Sequence, residues 1–250
     1  MLKDNIKIAA QMINKSNNTW VLTGAGMSTE SGIPDFRTPN SGLWEKIDPM
    51  KSLSRNVLYN NPSKFYKTGY CILTQMSDFQ PNEGHVVLAK LEEKGYINGI
   101  ITQNIDNLHM RAGSKNVLEV HGNTRTGSCI DCSYKIELKY LTKKIQNNEI
   151  PPKCEQCGSS LRPDVVLFGD QLPKEFNKAW EMVNECELLI VVGSSLTVSP
   201  VNYLPQISPK VMIINLDKTP YDSYADIVIR GKAGTVLNKI FDIIQMENNL

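Results

Sequence analysis

Apolar residues recur at helical spacing through residues 2–15, with polar positions between them, and a short apolar run, Trp20–Thr23, follows and leads into Gly24-Ala25-Gly26. The first pattern predicts an amphipathic helix and the second a short buried strand. From Phe36 to about Leu53 the chain is loop-like, with Pro39, Asn40, Ser41, Gly42 and Pro49. Residues 62–76 and 84–94 read as helices; Pro62 suits a first helical position and Gly95 a helix stop. Short apolar runs then appear at Ile97–Thr102, Val117–Val120, Val165–Phe168, Leu188–Val192, Val211–Leu216 and Ile227–Ile229. Helix-like stretches such as 174–185 separate several of them, and 233–246 forms a closing helix. Apolar strands alternating with helices predict an α/β fold with a mostly parallel sheet covered on both faces. Residues 126–160 break the rhythm with four cysteines, a polar middle and Pro151-Pro152, and read as an inserted module.

At 250 residues and 41% hydrophobic content, the chain suits one sizeable domain with a small module inserted. Its 27 basic and 26 acidic residues give a net charge of +1, so no long-range field draws it to nucleic acid or an anionic membrane. The first residues lack the apolar core and cleavage site of a signal peptide, and no apolar run has the length of a membrane span. These features predict a soluble, intracellular protein.

Polar and glycine clusters follow the strands repeatedly: Gly24-Ala25-Gly26, Gln103-Asn104-Ile105-Asp106, His121-Gly122, Gly169-Asp170, Gly193-Ser194-Ser195 and Asn215-Leu216-Asp217. Ligands of open parallel sheets bind beyond the carboxyl ends of the strands, so the recurrence predicts one large ligand site. The glycine loop reads either as a phosphate cradle or as a tight strand-to-helix turn. It has Thr29 where a dehydrogenase fingerprint needs a third glycine, which speaks against hydride transfer. Gln103, Asn104 and Asp106 read either as turn formers or as groups that hold a nucleotide. Of the three histidines, His85 lies near a helix start and suits a cap, and His109 follows the polar cluster and suits an orienting role. A lone histidine is more often structural, but His121 ends a strand on the shared edge, where an imidazole serves as a proton carrier.

Cys129-x-x-Cys132 and Cys154-x-x-Cys157 supply four thiolates with the spacing of a tetrahedral Zn²⁺ site. Four thiolates close the shell, so the metal is expected to be structural; four unrelated core cysteines are the weaker alternative. Cys71 and Cys186 read as core residues on helix faces.

Taken together, the motifs resemble the sirtuin family. The run Gly24-Ala25-Gly26-Met27-Ser28-Thr29-Glu30-Ser31-Gly32-Ile33-Pro34-Asp35-Phe36-Arg37 is similar to its signature loop, and Thr102-Gln103-Asn104-Ile105-Asp106-Asn107-Leu108-His109 to its second motif. His121-Gly122, the cysteine pairs, Arg162–Asp170, Gly193-Ser194-Ser195-Leu196 and Ile214-Asn215-Leu216 follow in the family's order, over about residues 18–235. Asn107, Asp170 and Met27 stand where the family commonly has glycine, glutamate and isoleucine.

The resemblance implies a Rossmann-like parallel sheet with helices on both faces, plus a small inserted domain made of a zinc ribbon and a helical module. The expected division is 1–36, 81–125 and 161–250 for the NAD-binding domain, 37–80 for the cofactor loop and helical module, and 126–160 for the zinc-binding module. It implies an NAD-dependent protein lysine deacetylase that releases nicotinamide and O-acetyl-ADP-ribose and extends to longer neutral acyl groups. NAD⁺ is the co-substrate, one Zn²⁺ is structural, and acylated-lysine proteins or peptides are the partners. His121 is the implied general base. Ala25, Thr29, Phe36, Arg37, Gln103, Asn104, Ile105, Asp106, His121, Ser194, Ser195, Asn215, Leu216 and Lys232 are implied to hold NAD⁺. Cys129, Cys132, Cys154 and Cys157 are implied to hold the metal, and Val165, Val166, Phe168, Gly169 and Val198 to meet the substrate. Members that prefer succinyl-lysine carry a Tyr-x-x-Arg pair that residues 62–76 lack, so acetyl and other neutral groups are expected. A cytoplasmic monomer binding neither membrane nor nucleic acid completes the expectation. The rivals are an ADP-ribosyltransferase on the same NAD⁺ site and a zinc-ribbon protein that only senses NAD⁺.

Overall fold

The computed structural model describes residues 2–35, 48–74 and 79–248. Nine strands run through them: β1 (Thr19–Thr23), β2 (Gly99–Thr102), β3 (Val117–Glu119), β4 (Gly122–Cys129), β5 (Lys135–Glu137), β6 (Leu161–Val165), β7 (Leu188–Val192), β8 (Val211–Asn215) and β9 (Ile227–Arg230). Six form one parallel sheet in the order β3-β2-β1-β7-β8-β9. Every residue of β1, β2 and β7 is buried, as strands covered on both faces must be.

Successive side chains of a strand alternate between the faces, and the two cores divide accordingly. Val21, Ile100, Ile190 and Met212 pack against helices Leu2–Lys15, Glu83–Glu93 and Ala233–Asn248. Trp20, Leu22, Ile101, Leu189, Val191 and Ile213 pack on the other side, against helix Lys174–Glu185 through Ala179 and Val183. Gly95 ends its helix with φ +77°, and Pro62 occupies a first-turn position, as the sequence predicts.

One predicted strand belongs elsewhere. The run Val165–Phe168 is not in the parallel sheet: β6 ends at Val165 and pairs antiparallel with β4 in a second sheet of order β5-β4-β6. A short apolar run fits a half-buried antiparallel strand end as well as a parallel one, and pattern alone does not separate them. The small sheet starts at Gly122, paired with Val165, so its strand pairing reaches beyond residues 126–160 on both sides.

The small sheet and the helical segment before it share a core. Phe65, Tyr66, Tyr70 and Leu73 pack with Cys129, Leu138, Leu141, Cys154 and Leu161. The predicted helix over 62–76 is interrupted: Pro62–Lys64 leads into a π turn, Phe65–Gly69, before Tyr70–Thr74. Tyr66 is fully buried and donates its hydroxyl to the Leu161 carbonyl at 2.5 Å. At Gly69 the backbone comes so close that an added Cβ would lie 2.2 Å from the Ser52 carbonyl oxygen. Cys71 proves exposed, its thiol turned to the carbonyl of Lys67 in the turn before it rather than to the core. Cys186 is buried, but on extended backbone just past the end of its helix. Among the described residues no helix is long and apolar enough to cross a membrane.

Candidate active site and metal centre

The strand order reverses direction between β1 and β7, and the two polypeptide turns that leave these strands meet there. Gly24 N–H donates to the Val192 carbonyl (3.1 Å) and Gly26 N–H to that of Gly193 (2.8 Å). Gly193 has φ +61°, and a Cβ on it would meet Met27 N at 2.2 Å, so only glycine fits this crossing. The loop continues as two 3₁₀ turns, Ala25–Met27 and Thr29–Ser31, rather than as a full helix. The Ala25 N–H has no acceptor among the described residues and lies at the switch point where anionic ligands bind. Thr29 donates its hydroxyl to Gly26 O, and the Glu30 carboxylate accepts the Gly234 N–H at 2.8 Å, tying the loop to the closing helix.

The Gln103–Asp106 segment lies beside this loop. Asn104 donates to Gly24 O (3.0 Å) and to Ser28 Oγ (3.1 Å), and Gln103 to Ser194 Oγ (2.9 Å). Ser28 donates to Asp106 Oδ2 at 2.6 Å, while Asp106 Oδ1 accepts the Leu108 N–H. Burial pushes the Asp106 carboxyl above the ordinary carboxylate range, opposed by the Ser28 bond. Ile105 is buried in the same segment. Asn107 takes a left-handed conformation, φ +65°, and its carboxamide oxygen accepts from Arg125, whose guanidinium also grips Glu119 with two bonds of 2.6 Å.

His121 stands between Glu119 and Arg125 in sequence, at the corner joining β3 to β4. Its Nδ1 lies 3.0 Å from the Gln103 carbonyl, which only accepts, so Nδ1 carries the proton and Nε2 keeps its lone pair. Burial pulls its pKa below the ordinary histidine value, and the Gln103 bond partly opposes that. Its carbonyl accepts the Val166 N–H at 2.9 Å, so the small sheet is sewn to the parallel sheet at this residue.

The other two histidines form a buried pair below the loop. His85 closes a capping box with Asn82 and accepts the Asn82 N–H at Nδ1, fulfilling the predicted cap. His109 Nε2 lies 3.0 Å from Thr23 Oγ1, whose own proton goes to Thr102. The rings are 4.8 Å apart, and His85 Nε2 and His109 Nδ1 have no hydrogen-bond partner among the described residues. Burial lowers both pKa values, that of His85 to about 4. The unfolded chain therefore binds protons near pH 6.5 that the folded chain refuses, and stability is lost as pH falls from about 6.5 toward 4. Denaturant titrations should show His85 costing up to roughly 3 kcal/mol between pH 7.5 and 4.5. His85→Asn should make that slope shallower, leaving the part that His109 contributes; an unchanged slope would refute the assignment.

Ser194 is buried, and Ser195 is exposed with its hydroxyl 2.8 Å from that of Thr197. Asn215 ends β8 and donates to Asp217 O; Leu216 is 58% exposed, and Lys232 is exposed just before the closing helix. Val165 is buried, Val166 and Phe168 are half-buried, Gly169 is exposed, and Val198 is half-buried with its carbonyl accepting the Asn202 N–H. Phe168 exchanges backbone bonds with Leu53 and Arg55, while Gly169 N–H and C=O have no partner among the described residues. Phe36 and Arg37 lie outside the described residues. Ser28, Glu119 and Arg125 escaped the sequence reading, although Ser28 stood inside the signature run.

The four cysteines converge. Their Sγ atoms all lie within 4.8 Å of one another, with Cys129 to Cys157 at 3.4 Å and Cys132 to Cys154 at 3.6 Å. A zinc tetrahedron with bonds of ~2.3 Å has sulfur–sulfur edges of roughly 3.8 Å, so the donor set fits. Each pair folds as a knuckle: Ser133 N–H returns to Cys129 O and Gly158 N–H to Cys154 O, with Ser133 and Gly158 at positive φ.

Comparison with known proteins agrees with this geometry. A family model described as the Sir2 family matches residues 24–200. An NAD-dependent protein deacetylase 2 of Caldanaerobacter subterraneus subsp. tengcongensis is 54% identical over 243 residues, covering 97% of each chain. A solved Sir2 structure with a deacetylated p53 peptide and 3′-O-acetyl ADP ribose superposes with a TM-score of 0.89 at 39% identity, over 95% of this chain and 97% of that one. A Sir2 complex with a p53 peptide and NAD⁺ gives 0.86 at 37% identity, over 96% and 99%.

Proposed function

The chain belongs to the Sir2 family, and from that premise we propose how its residues divide the work. It is an NAD-dependent protein lysine deacetylase, producing free lysine, nicotinamide and O-acetyl-ADP-ribose. In our reading NAD⁺ lies over the carboxyl ends of β1, β7 and β8. Ala25, with its open N–H, and Thr29, Ser194 and Ser195 take the phosphates; Asn215, Leu216 and Lys232 take the adenosine end. Gln103, Asn104, Ile105 and Asp106 form the nicotinamide pocket, and Phe36 and Arg37 cover the nicotinamide ribose. The depth of Asp106 and its Ser28 bond support a fixed acceptor for the carboxamide.

The acyl oxygen of the substrate lysine displaces nicotinamide from the ribose carbon, a ribose hydroxyl then attacks the activated acyl carbon, the bond from that carbon to the lysine nitrogen breaks to free the amine, and water completes the acetyl ester on ADP-ribose. The observation that carries the assignment of roles is the His121 Nδ1 bond to Gln103 O. It fixes the tautomer, leaving Nε2 to take the hydroxyl proton, and ties the base to the nicotinamide loop. The substrate backbone adds as a strand beside Gly169, whose backbone groups are open, with Val198 on the far side. Val165, Val166 and Phe168 wall the acyl-lysine stem. Cys129, Cys132, Cys154 and Cys157 would hold a structural zinc, which fixes the fold of the small module and does no chemistry.

We also read the enzyme as a cytoplasmic monomer that binds no nucleic acid, the last of these supported by its net charge of +1. The test is mass spectrometry of an acetyl-lysine peptide incubated with and without NAD⁺. The acetyl group should leave only with NAD⁺ present and reappear on ADP-ribose. ADP-ribose found on the peptide, with the acetyl group retained, would favour the transferase reading instead.

A further inference from the structure

A groove of about 620 Å³ opens from the outer side of the Phe168–Gly169 segment, against helix Arg55–Asn60. Its walls include Met50, Arg55, Asn56, Tyr59, Phe168 and Gly169. Met50 and Tyr59 are 57% and 48% exposed and give the groove apolar surface. Arg55 lies over the Tyr59 ring, 5.6 Å from its centre, and makes no ion pair among the described residues. Among the described residues no acidic side chain lines the groove. The nearby cation Arg162, by contrast, is already neutralised by Asp170 at 2.5 Å. Among the described residues the groove thus offers one positive charge without an ion-pair partner, stacked on Tyr59.

We propose that this groove is a subsite for the substrate polypeptide, and that Arg55 selects an acidic residue close in sequence to the acyl-lysine. The inference rests on the deacetylase reading, because the groove shares Phe168 and Gly169 with the segment assigned to the substrate strand. The backbone bonds of Phe168 with Leu53 and Arg55, 3.1 and 2.9 Å, hold the groove and that segment as one surface. A strand leaving Gly169 advances only ~3.3 Å per residue, so the occupant is within a few residues of the lysine. Its carboxylate meets the guanidinium, and its stem lies on Tyr59 and Met50.

The experiment uses a set of acetyl-lysine peptides in which a single Glu or Gln is moved through the four positions on each side of the lysine. At one position Glu should raise kcat/KM about twofold to fivefold over Gln, through KM, with the gain shrinking at high salt. Arg55→Ala should bring the Glu-to-Gln ratio of kcat/KM to about one, whatever its effect on the Gln peptides themselves, and Arg55→Glu should favour a Lys over a Gln peptide at that position. Turnover of every peptide without any positional preference, or a Glu preference that survives in Arg55→Ala, would overturn the subsite. If no acetyl-lysine peptide turned over at all, the deacetylase reading would fail first.

Discussion

His121→Ala is expected to lower kcat for deacetylation by about a hundredfold to ten-thousandfold, the usual span for a lost general base. Partial reactions make the prediction sharper. In the proposed course His121 acts after nicotinamide has left, so the variant should still exchange labelled nicotinamide into NAD⁺ while forming no acetyl-ADP-ribose. Equal loss of both would move His121 to the first step. The pH profile gives a second check. The base works unprotonated, so activity is present above its pKa and lost as pH falls through it. Burial holds that pKa below the ordinary value, and the acid limb of kcat/KM should therefore lie below about pH 6.5.

Removal of zinc should cost the enzyme its small module and its activity together. Metal binding to four thiolates contributes about 10–16 kcal/mol in zinc-finger peptides, comparable to the whole stability of a domain at about 5–15 kcal/mol. Cys129 and Cys154 belong to the same core as Phe65, Tyr66 and Tyr70, so the damage should spread from the knuckles into the helical segment 55–74. A strong chelator, or Cys129→Ser, should release one zinc per chain, expose residues 126–160 to protease and abolish deacetylation. The parallel sheet has its own two cores and should remain folded. Full activity and unchanged protease resistance after zinc loss would sink the structural role.

The large sheet was legible because its strands carry their burial in their own residues. Leu188–Val192 is apolar throughout and buried throughout, and the predicted bounds match the observed ones. Val165–Phe168 was assigned to the wrong sheet because its partner, β4, lies some forty residues earlier and leaves no mark in the local pattern. The site divides the same way. The cysteine pairs signal through local spacing, and the clusters after the strands mark the ligand edge. The bonds that lock that edge join residues far apart in the chain, Ser28 to Asp106 across 78 positions and Gln103 to Ser194 across 91. No single sequence displays such pairings. Asn107 lies between these cases. The sequence marks it as a departure from glycine, but only the structure shows it keeping the positive φ and binding Arg125.

The tight contact at Gly69 bears on how the enzyme can change over time. Tyr66 and Gly69 both lie in the π turn Phe65–Gly69. Tyr66 is buried with its hydroxyl committed to Leu161, and any side chain at 69 collides with Ser52 O. Installing arginine there in one mutational step would break the module before it offered a new contact. A lineage starting from this sequence would first have to shift the 52–53 backbone, so the glycine at 69 is guarded by a backbone on a distant part of the chain rather than by its own turn alone.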